Sequence, residues 1–155
     1  AQAAAGVTPN TLGALQIVVA PDRQGSGISA VMVGAFRAIA RERGFGAVIA
    51  CVRPNLKARY PLMPMADYVA WRRPDGLPFD AWLRVHARAG GEIVRVAPES
   101  MRIDGSLAQW HEWTGLEFPI SGPYVVEGGL APLEADVAAD RATYLDANVW
   151  VIHRL

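Results

Sequence analysis

Residues 24–29 have the composition of a phosphate-binding turn. They read Gln-Gly-Ser-Gly-Ile-Ser and lie between an apolar segment and a segment with helical periodicity. Gly25 and Gly27 let several backbone N–H groups of the turn and of the first helical turn point at one spot. The positive end of the helix dipole lies at the same spot, so the sequence predicts a phosphate site there. The alternative is a tight turn whose glycines serve only the backbone geometry.

The histidines and the cysteine are the other side chains considered for chemistry near neutral pH. His86 lies in a predicted helix and is either a structural histidine or a proton donor. His111 and His153 are predicted at the surface or at a strand end, and no histidine pair has metal-ligand spacing. Cys51 is predicted to be a small core residue, because no histidine is placed near it to activate a thiolate.

The glycine turn needs a strand before it and a helix after it. Residues 15–19 are apolar and β-branched, and Pro21 ends that predicted strand because proline cannot donate to a sheet. Apolar residues then recur at helical spacing over 28–40, and Gly44 suits the end of a helix. Because a helix-length connection leads to the next apolar strand, 47–52, the two strands are predicted to be parallel in an α/β fold with a mixed sheet.

The rest of the chain also alternates between helix and strand patterns. The predicted elements are a two-turn helix within 65–73, between prolines, a helix over 81–89 capped by Asp80 and ended by Gly90-Gly91, a strand over 92–96, a short helix opened by Ser106, a hairpin over 124–133 and a closing strand over 148–153.

Composition limits the class of protein. The 155 residues suit one domain, and 52% hydrophobic with 19% charged residues is typical of a globular chain. Fifteen basic and fifteen acidic side chains balance, which argues against a nucleic-acid partner. The sequence shows no apolar run long enough to cross a bilayer and no signal-peptide pattern, and a single cysteine excludes an internal disulfide. We therefore expect a cytoplasmic domain with no membrane partner.

Two common phosphate-binding motifs do not fit the glycine turn. A Walker loop needs Gly-Lys-Ser/Thr, whereas Lys57 is the only lysine in the sequence. A dinucleotide-binding motif needs a third glycine, where this sequence has Ala30, and an acidic residue after the next strand, which here ends in Cys51-Val52-Arg53.

The turn instead resembles the pyrophosphate loop of the GNAT superfamily, the acetyl-CoA-dependent N-acetyltransferases. That loop reads Gln/Arg-x-x-Gly-x-Gly/Ala after a strand ending in Val-x-Pro, here Val19-Ala20-Pro21, and Ser29 replaces the usual Gly or Ala. The resemblance implies acetyl-CoA as co-substrate and no metal. It implies that Ile17, Val18 and Val19 pair with the pantetheine arm, where the first two strands splay apart. The residues implied to hold the pyrophosphate are Gln24, Gly25, Ser26, Gly27, Ile28 and Ser29.

The resemblance also implies a GNAT-like fold of which this chain is the C-terminal part. The expected single domain over 1–155 consists of an N-terminal segment 1–13, a CoA-binding strand-loop-helix-strand 14–51, an insertion 52–79, a helix-strand unit 80–97, and a C-terminal helix, hairpin and closing strand 98–155. The last strand is antiparallel in that fold, and this region resembles stand-alone bacterial members. Because three strands and two helices of the fold are not found before the first strand, we expect a fragment, or a chain completed by a partner such as a second copy.

The helix-to-strand corner resembles the same family. The segment 85–91 aligns with Leu-Tyr-x-x-x-Gly-Phe, whose tyrosine protonates the departing CoA thiolate. His86 takes the place of that tyrosine and is implied to be the general acid. Asn55, Tyr68 and Trp82 are assigned to substrate binding, although the aromatic residues of the insertion could equally form a packing lid. The implied reaction is acetyl transfer to an amine, on a small molecule or a protein, by direct attack.

Two other functions stay open. GNAT-like loading domains of polyketide synthases, which decarboxylate malonyl-CoA and pass the acetyl group to a carrier-protein thiol, resemble this chain through the insertion and the Asp-x-x-Leu-Arg-x-His helix from Asp80 to His86. Those domains carry a threonine where this sequence has Val52, which argues against decarboxylation. The other alternative is a CoA-binding module without turnover.

Overall fold

The chain forms one mixed sheet with helices packed against it. A computed structural model describes residue 6 and residues 8–155. The strands in these residues are β1 (Thr11–Ala14), β2 (Ala47–Val52), β3 (Glu92–Gly105), β4 (Gly122–Tyr124), β5 (Leu133–Asp136) and β6 (Arg141–Arg154). The helices are α1 (Ile28–Glu42), α2 (Met65–Ala70), α3 (Ala81–Arg88) and α4 (Leu107–Thr114), with short 3-10 turns at Pro21–Arg23 and Lys57–Arg59. This is the α/β class with a mixed sheet that the sequence predicts.

β6 is the central strand of the sheet. It pairs antiparallel with β3 over residues 142–152, with β2 over 149–154 and with β5 over 141–144. Because β3 follows nearly the whole length of one edge, β2 and β5 share the other edge of β6. β1 pairs parallel with β2, as predicted, and β4 pairs antiparallel with β5. The order is therefore β1-β2-β6-β5-β4, with β3 beside β6.

The first strand lies earlier in the chain than predicted. Among the described residues, 15–19 have no partner strand: the pairing of β1 with β2 stops at Ala14, while β2 continues to Val52. The side chains of Leu15 and Val18 are 95% and 78% exposed. The apolar, β-branched composition of 15–19 therefore marks an unpaired segment beside the end of β1. This segment leads directly into the glycine turn.

The helices begin and end close to the predicted positions. α1 begins after Gly27, whose φ of +84° few side chains tolerate, and ends just before Gly44. α4 begins with the predicted capping box of Ser106 and Gln109. Across the described residues, none of the helices has both the length and the apolar character needed to cross a membrane.

Asp80 joins three parts of the fold. Its side chain is buried, and Oδ1 accepts hydrogen bonds from the N–H groups of Trp82 and Leu83 at 2.9 and 3.0 Å, which caps α3 as predicted. Oδ2 accepts from the N–H of Leu56 and from the hydroxyl of Tyr68, each at 2.9 Å. Asp80 thereby fixes α3 against the 52–79 segment, and α3 carries His86 and Trp82.

Two later predictions underestimate the sheet. β3 and β6 extend well beyond the predicted ranges 92–96 and 148–153, because their added residues lack a continuous apolar run. The predicted hairpin over 124–133 is mostly the loop between β4 and β5, and the paired strands lie on either side of it.

The larger apolar cluster joins the sheet to α2 and α3, and its buried members are Ala50, Val52, Met65, Tyr68, Leu83, Leu130, Val149 and Val151.

Candidate functional site

Two adjoining cavities lie along α3. The smaller, of about 530 Å³, is bordered by the glycine turn, Asn55 and α3. The larger, of about 700 Å³, lies between the end of β1, β2, α3 and the strands β3 and β6. Ile17 and Trp82 line both cavities. A long ligand could therefore place one end at the glycine turn and the other inside the sheet.

The glycine turn presents free backbone donors to the smaller cavity. Within the described residues, the N–H groups of residues 25–29 have no hydrogen-bond acceptor, and no side chain caps α1. Gly25 and Gly27 have φ of +76° and +84°, conformations that let the turn expose successive N–H groups. Because these donors lie at the start of a fifteen-residue helix, the turn is suited to an anionic group.

Most residues predicted to bind coenzyme A border this cavity. Those that line it are Ile17, Val19, Gln24, Gly25, Gly27, Ile28 and Ser29. Val18 and Ser26 do not line either cavity: Val18 points to solvent, and the Ser26 hydroxyl donates to the carbonyl of Arg23. The backbone of these two residues still belongs to the unpaired segment and to the turn.

His86 borders the larger cavity from α3. The side chain is only 4% exposed, and its Nδ1 lies 2.9 Å from Nε2 of His153, whereas its own Nε2 has no hydrogen-bond partner in the part of the chain that the structure describes. Burial, followed by the neighbouring His153 ring, lowers the pKa of His86 to about 4. The ring is therefore neutral at pH 7, and a proton that it delivers must first be taken up from another group.

His153 is a site residue that the sequence prediction missed. Of its two predicted positions, surface or strand end, the second is confirmed, because it is the second-last residue of β6; it is nevertheless 1% exposed and lines the larger cavity with His86. The two histidines are 67 positions apart, and they meet only because β6 occupies the middle of the sheet. The sequence gives little signal for this burial, because residues 149–152 are continuously apolar and do not indicate which face of β6 is buried.

A polar group lies at another part of the larger cavity. Asp146 is buried, and its Oδ2 lies 3.0 Å from Arg53 Nε, while the Tyr144 hydroxyl donates to its Oδ1 at 3.2 Å. Oδ1 of Asn148 is buried without a hydrogen-bond partner. Burial and the Asp146 charge raise the pKa of the Cys51 thiol, so that this side chain stays protonated at neutral pH.

Tyr68 does not belong to the site. Its side chain is 1% exposed, its hydroxyl donates to Asp80, and its ring packs against Tyr60 and Trp71. The aromatic residues of this segment pack on one another and on Phe79, which favours the packing lid, and substrate binding by Tyr68 stays a prediction that this geometry does not support. Asn55 and Trp82, by contrast, border the smaller cavity.

Folding stability is expected to fall between about pH 6.5 and pH 4. The ordinary pKa of a histidine, 6.5, applies to the unfolded chain, whereas the pKa of His86 in the folded chain is about 4. The unfolded chain therefore binds more protons in this range, which lowers the free energy of unfolding as pH falls, by on the order of 3 kcal/mol in total. Urea titrations at several pH values measure this change.

The same measurement on two variants is the control. In His86→Phe the free energy of unfolding should lose part of its pH dependence. In His111→Phe it should keep that dependence, because His111 is exposed. An unchanged slope in His86→Phe would contradict the assignment.

Comparisons with known proteins agree with this architecture. No protein-family model matches the sequence. The chain is 34% identical over 163 residues to the arginine N-acetyltransferase avaD of Aspergillus versicolor, an alignment that covers 94% of this chain and 56% of that protein. The chain thus spans about half the length of this curated relative. Among solved structures, it is similar to the loading GNATL domain of CurA from Lyngbya majuscula, with a TM-score of 0.59 and 18% identity over 99% of this chain and 60% of that chain.

The comparison of structures gives the class of architecture. The chain has an α/β fold with a mixed sheet, and this fold is similar to that of a GNAT-like domain. Within that class, its sequence is similar to that of an arginine N-acetyltransferase.

Proposed function

We propose that the chain is the CoA-binding part of an N-acetyltransferase that transfers an acetyl group from acetyl-CoA to an amine. The observation that supports it best is the row of unpartnered N–H groups over 25–29, which borders a cavity that continues past Trp82 to His86. A diphosphate matches these donors in charge and in hydrogen bonding.

The same cavities suggest how the chain holds acetyl-CoA. The amides of the glycine turn bind the diphosphate, and the unpaired backbone at Ile17 and Val19 hydrogen-bonds the pantetheine arm. When bound, acetyl-CoA supplies an activated acyl group, as a thioester. Trp82 borders the passage between the cavities, and Nε2 of His86 is the atom that exchanges a proton with the reacting groups, in the general-acid role that the sequence predicts.

We propose a small-molecule amine, with arginine as the first acceptor to examine. The relative from Aspergillus versicolor is named for that acceptor, and the larger cavity offers complementary groups. Oδ1 of Asn148, which has no partner among the described residues, accepts hydrogen bonds from N–H groups. Arg53 is paired through Nε with Asp146 and donates through Nη2 to the Gly128 carbonyl, so its Nη1 is the group proposed to bind a carboxylate.

A transfer assay with three arms tests this proposal. The purified protein is mixed with acetyl-CoA and arginine, with acetyl-CoA and agmatine, which lacks the carboxylate, or with malonyl-CoA alone. We expect free thiol and acetylarginine by mass spectrometry, and slower acetylation of agmatine. Release of CO₂ from malonyl-CoA would favour the loading-domain reaction instead. Binding of acetyl-CoA without transfer to either amine, or to a panel of other amines, would indicate a module without turnover.

A further inference from the structure

The two buried histidines form a pair whose hydrogen bonding is incomplete. Nδ1 of His86 and Nε2 of His153 are 2.9 Å apart, and the rings are 4% and 1% exposed. The other nitrogen of each ring, Nε2 of His86 and Nδ1 of His153, is buried without a partner among the described residues. An unsatisfied nitrogen in a buried ring costs stability, so each of these two atoms calls for an explanation, and a role in proton transfer is one.

The backbone is shaped to admit this pair. A Cβ atom added at Gly91 would lie 2.7 Å from Cε1 and 2.9 Å from Nε2 of His153, and 2.8 Å from the carbonyl oxygen of His86. Of the two glycines after α3, only Gly90 has the positive φ that ends the helix, so the turn does not require a glycine at position 91. The His153 ring does require it, because any side chain at position 91 would overlap that ring.

One proton lies between the two facing nitrogens when both rings are neutral, and its position sets the chemistry of His86. Burial and then the Arg37 charge lower the pKa of His153, while the carbonyl group of Ala89 favours a proton on that ring. Arg37 faces the pair from α1, and its Nη1 donates to the Ala89 carbonyl oxygen at 2.7 Å. If His153 carries its proton on Nδ1, its Nε2 accepts from Nδ1 of His86, and the buried Nε2 of His86, on a ring that borders the larger cavity, keeps its lone pair.

We propose that His153 is a positioning residue that holds His86 in this tautomer, so that His86 accepts a proton from the ammonium group of the acceptor before returning it to the leaving sulfur. The inference rests on the proposed acetyltransferase function. It identifies the base that the sequence leaves open, and it explains how a neutral histidine becomes an acid later in the same turnover.

The proton balance is complete without another group. One proton moves from the acceptor nitrogen to Nε2 of His86, which leaves a neutral amine and an imidazolium. As the amine nitrogen bonds to the acyl carbon and the carbon–sulfur bond breaks, His86 returns that proton to the sulfur. The second proton of the nitrogen passes to solvent, and the products are an amide and a free thiol.

The test compares His153→Leu with His153→Gln. Leucine removes the hydrogen bond, whereas the Oε1 atom of glutamine retains an acceptor for Nδ1–H of His86. We expect His153→Leu to lower kcat roughly tenfold to a hundredfold, with the KM for acetyl-CoA nearly unchanged, and His153→Gln to recover most of the loss. The acid limb of the pH–rate profile should also move to higher pH in His153→Leu, because the neighbouring ring lowers the pKa of His86.

A readout independent of turnover is ¹⁵N NMR of the histidine rings in the protein without substrate. We expect Nε2 of His86 to be unprotonated at pH 7 in the wild type and in His153→Gln, and a mixture of tautomers in His153→Leu. A protonated Nε2 in the wild type, or unaltered kcat and pH profile in a folded His153→Leu, would overturn the inference. If one of these two results is found while the wild-type protein still transfers acetyl groups, the inference about His153 fails and the proposed function stands. If the wild-type protein transfers acetyl groups to no amine, the proposed function itself fails.

Discussion

Replacing Gly27 with glutamate is expected to abolish detectable binding of acetyl-CoA. Gly27 lines the smaller cavity at the start of α1, and its φ is +84°. A glutamate there places a negative charge beside the N–H groups proposed to bind the diphosphate. The carboxylate and the diphosphate then repel each other, and placing two like charges side by side costs several kcal/mol. Affinity should therefore fall roughly a hundredfold or more, as isothermal titration calorimetry would show.

Two further variants separate charge from backbone strain. Gly27→Gln has nearly the same shape without the charge, and it should bind more tightly than Gly27→Glu although more weakly than the wild type. Gly115→Glu introduces the same charge at another positive φ, +72°, at the end of α4, where a Cβ atom meets nothing within 4 Å. It should keep wild-type affinity. Equal affinities for Gly27→Glu and the wild type would remove the phosphate-loop assignment.

Replacing His86 with phenylalanine is expected to slow turnover at least tenfold and to leave the affinity for acetyl-CoA little changed. Phenylalanine fills a similar volume but cannot carry a proton, and a positioned acid or base commonly contributes 10²–10⁴-fold to a rate. The diphosphate donors lie in the other cavity, so binding should persist. Steady-state kinetics with calorimetry on the same preparation measures both quantities.

Because phenylalanine leaves Nε2 of His153 without its neighbour, folding needs its own control. His86→Asn retains an amide near the position of Nδ1, and it should unfold at a higher temperature than His86→Phe but turn over equally slowly. His111→Phe is the matched substitution at an exposed site on α4, and it should be fully active. Full activity of His86→Phe would return His86 to a structural role.

Local patterns account for the parts of the fold that were predicted well. The apolar spacing of α1, the continuous apolar run of β2 and the Asp80 cap depend on neighbours within a few residues, and all three were found where expected. The glycine turn is local in the same sense. Its composition predicts free N–H groups, and these are present.

The errors arise where distant segments decide the outcome. Residues 15–19 have strand composition but no partner, because β1 and β2 stop pairing at Ala14, and composition does not report pairing. His153 is buried beside His86 through the position of β6 in the sheet, and Tyr68 is buried with its hydroxyl donating a hydrogen bond to Asp80. Such contacts between residues far apart in sequence leave no periodic trace.

The position of β6 implies that the site is not uniformly stable. Asp146, Asn148 and His153 all lie on this strand, which is hydrogen-bonded to neighbours on both edges. The segment 15–19 and the glycine turn, in contrast, have few internal hydrogen bonds. Amide hydrogens of β6 should therefore exchange with deuterium only through global unfolding, whereas those of 15–29 exchange through small local openings. Warming is therefore expected to loosen the segment proposed to bind the diphosphate before it disturbs the contact between His86 and His153.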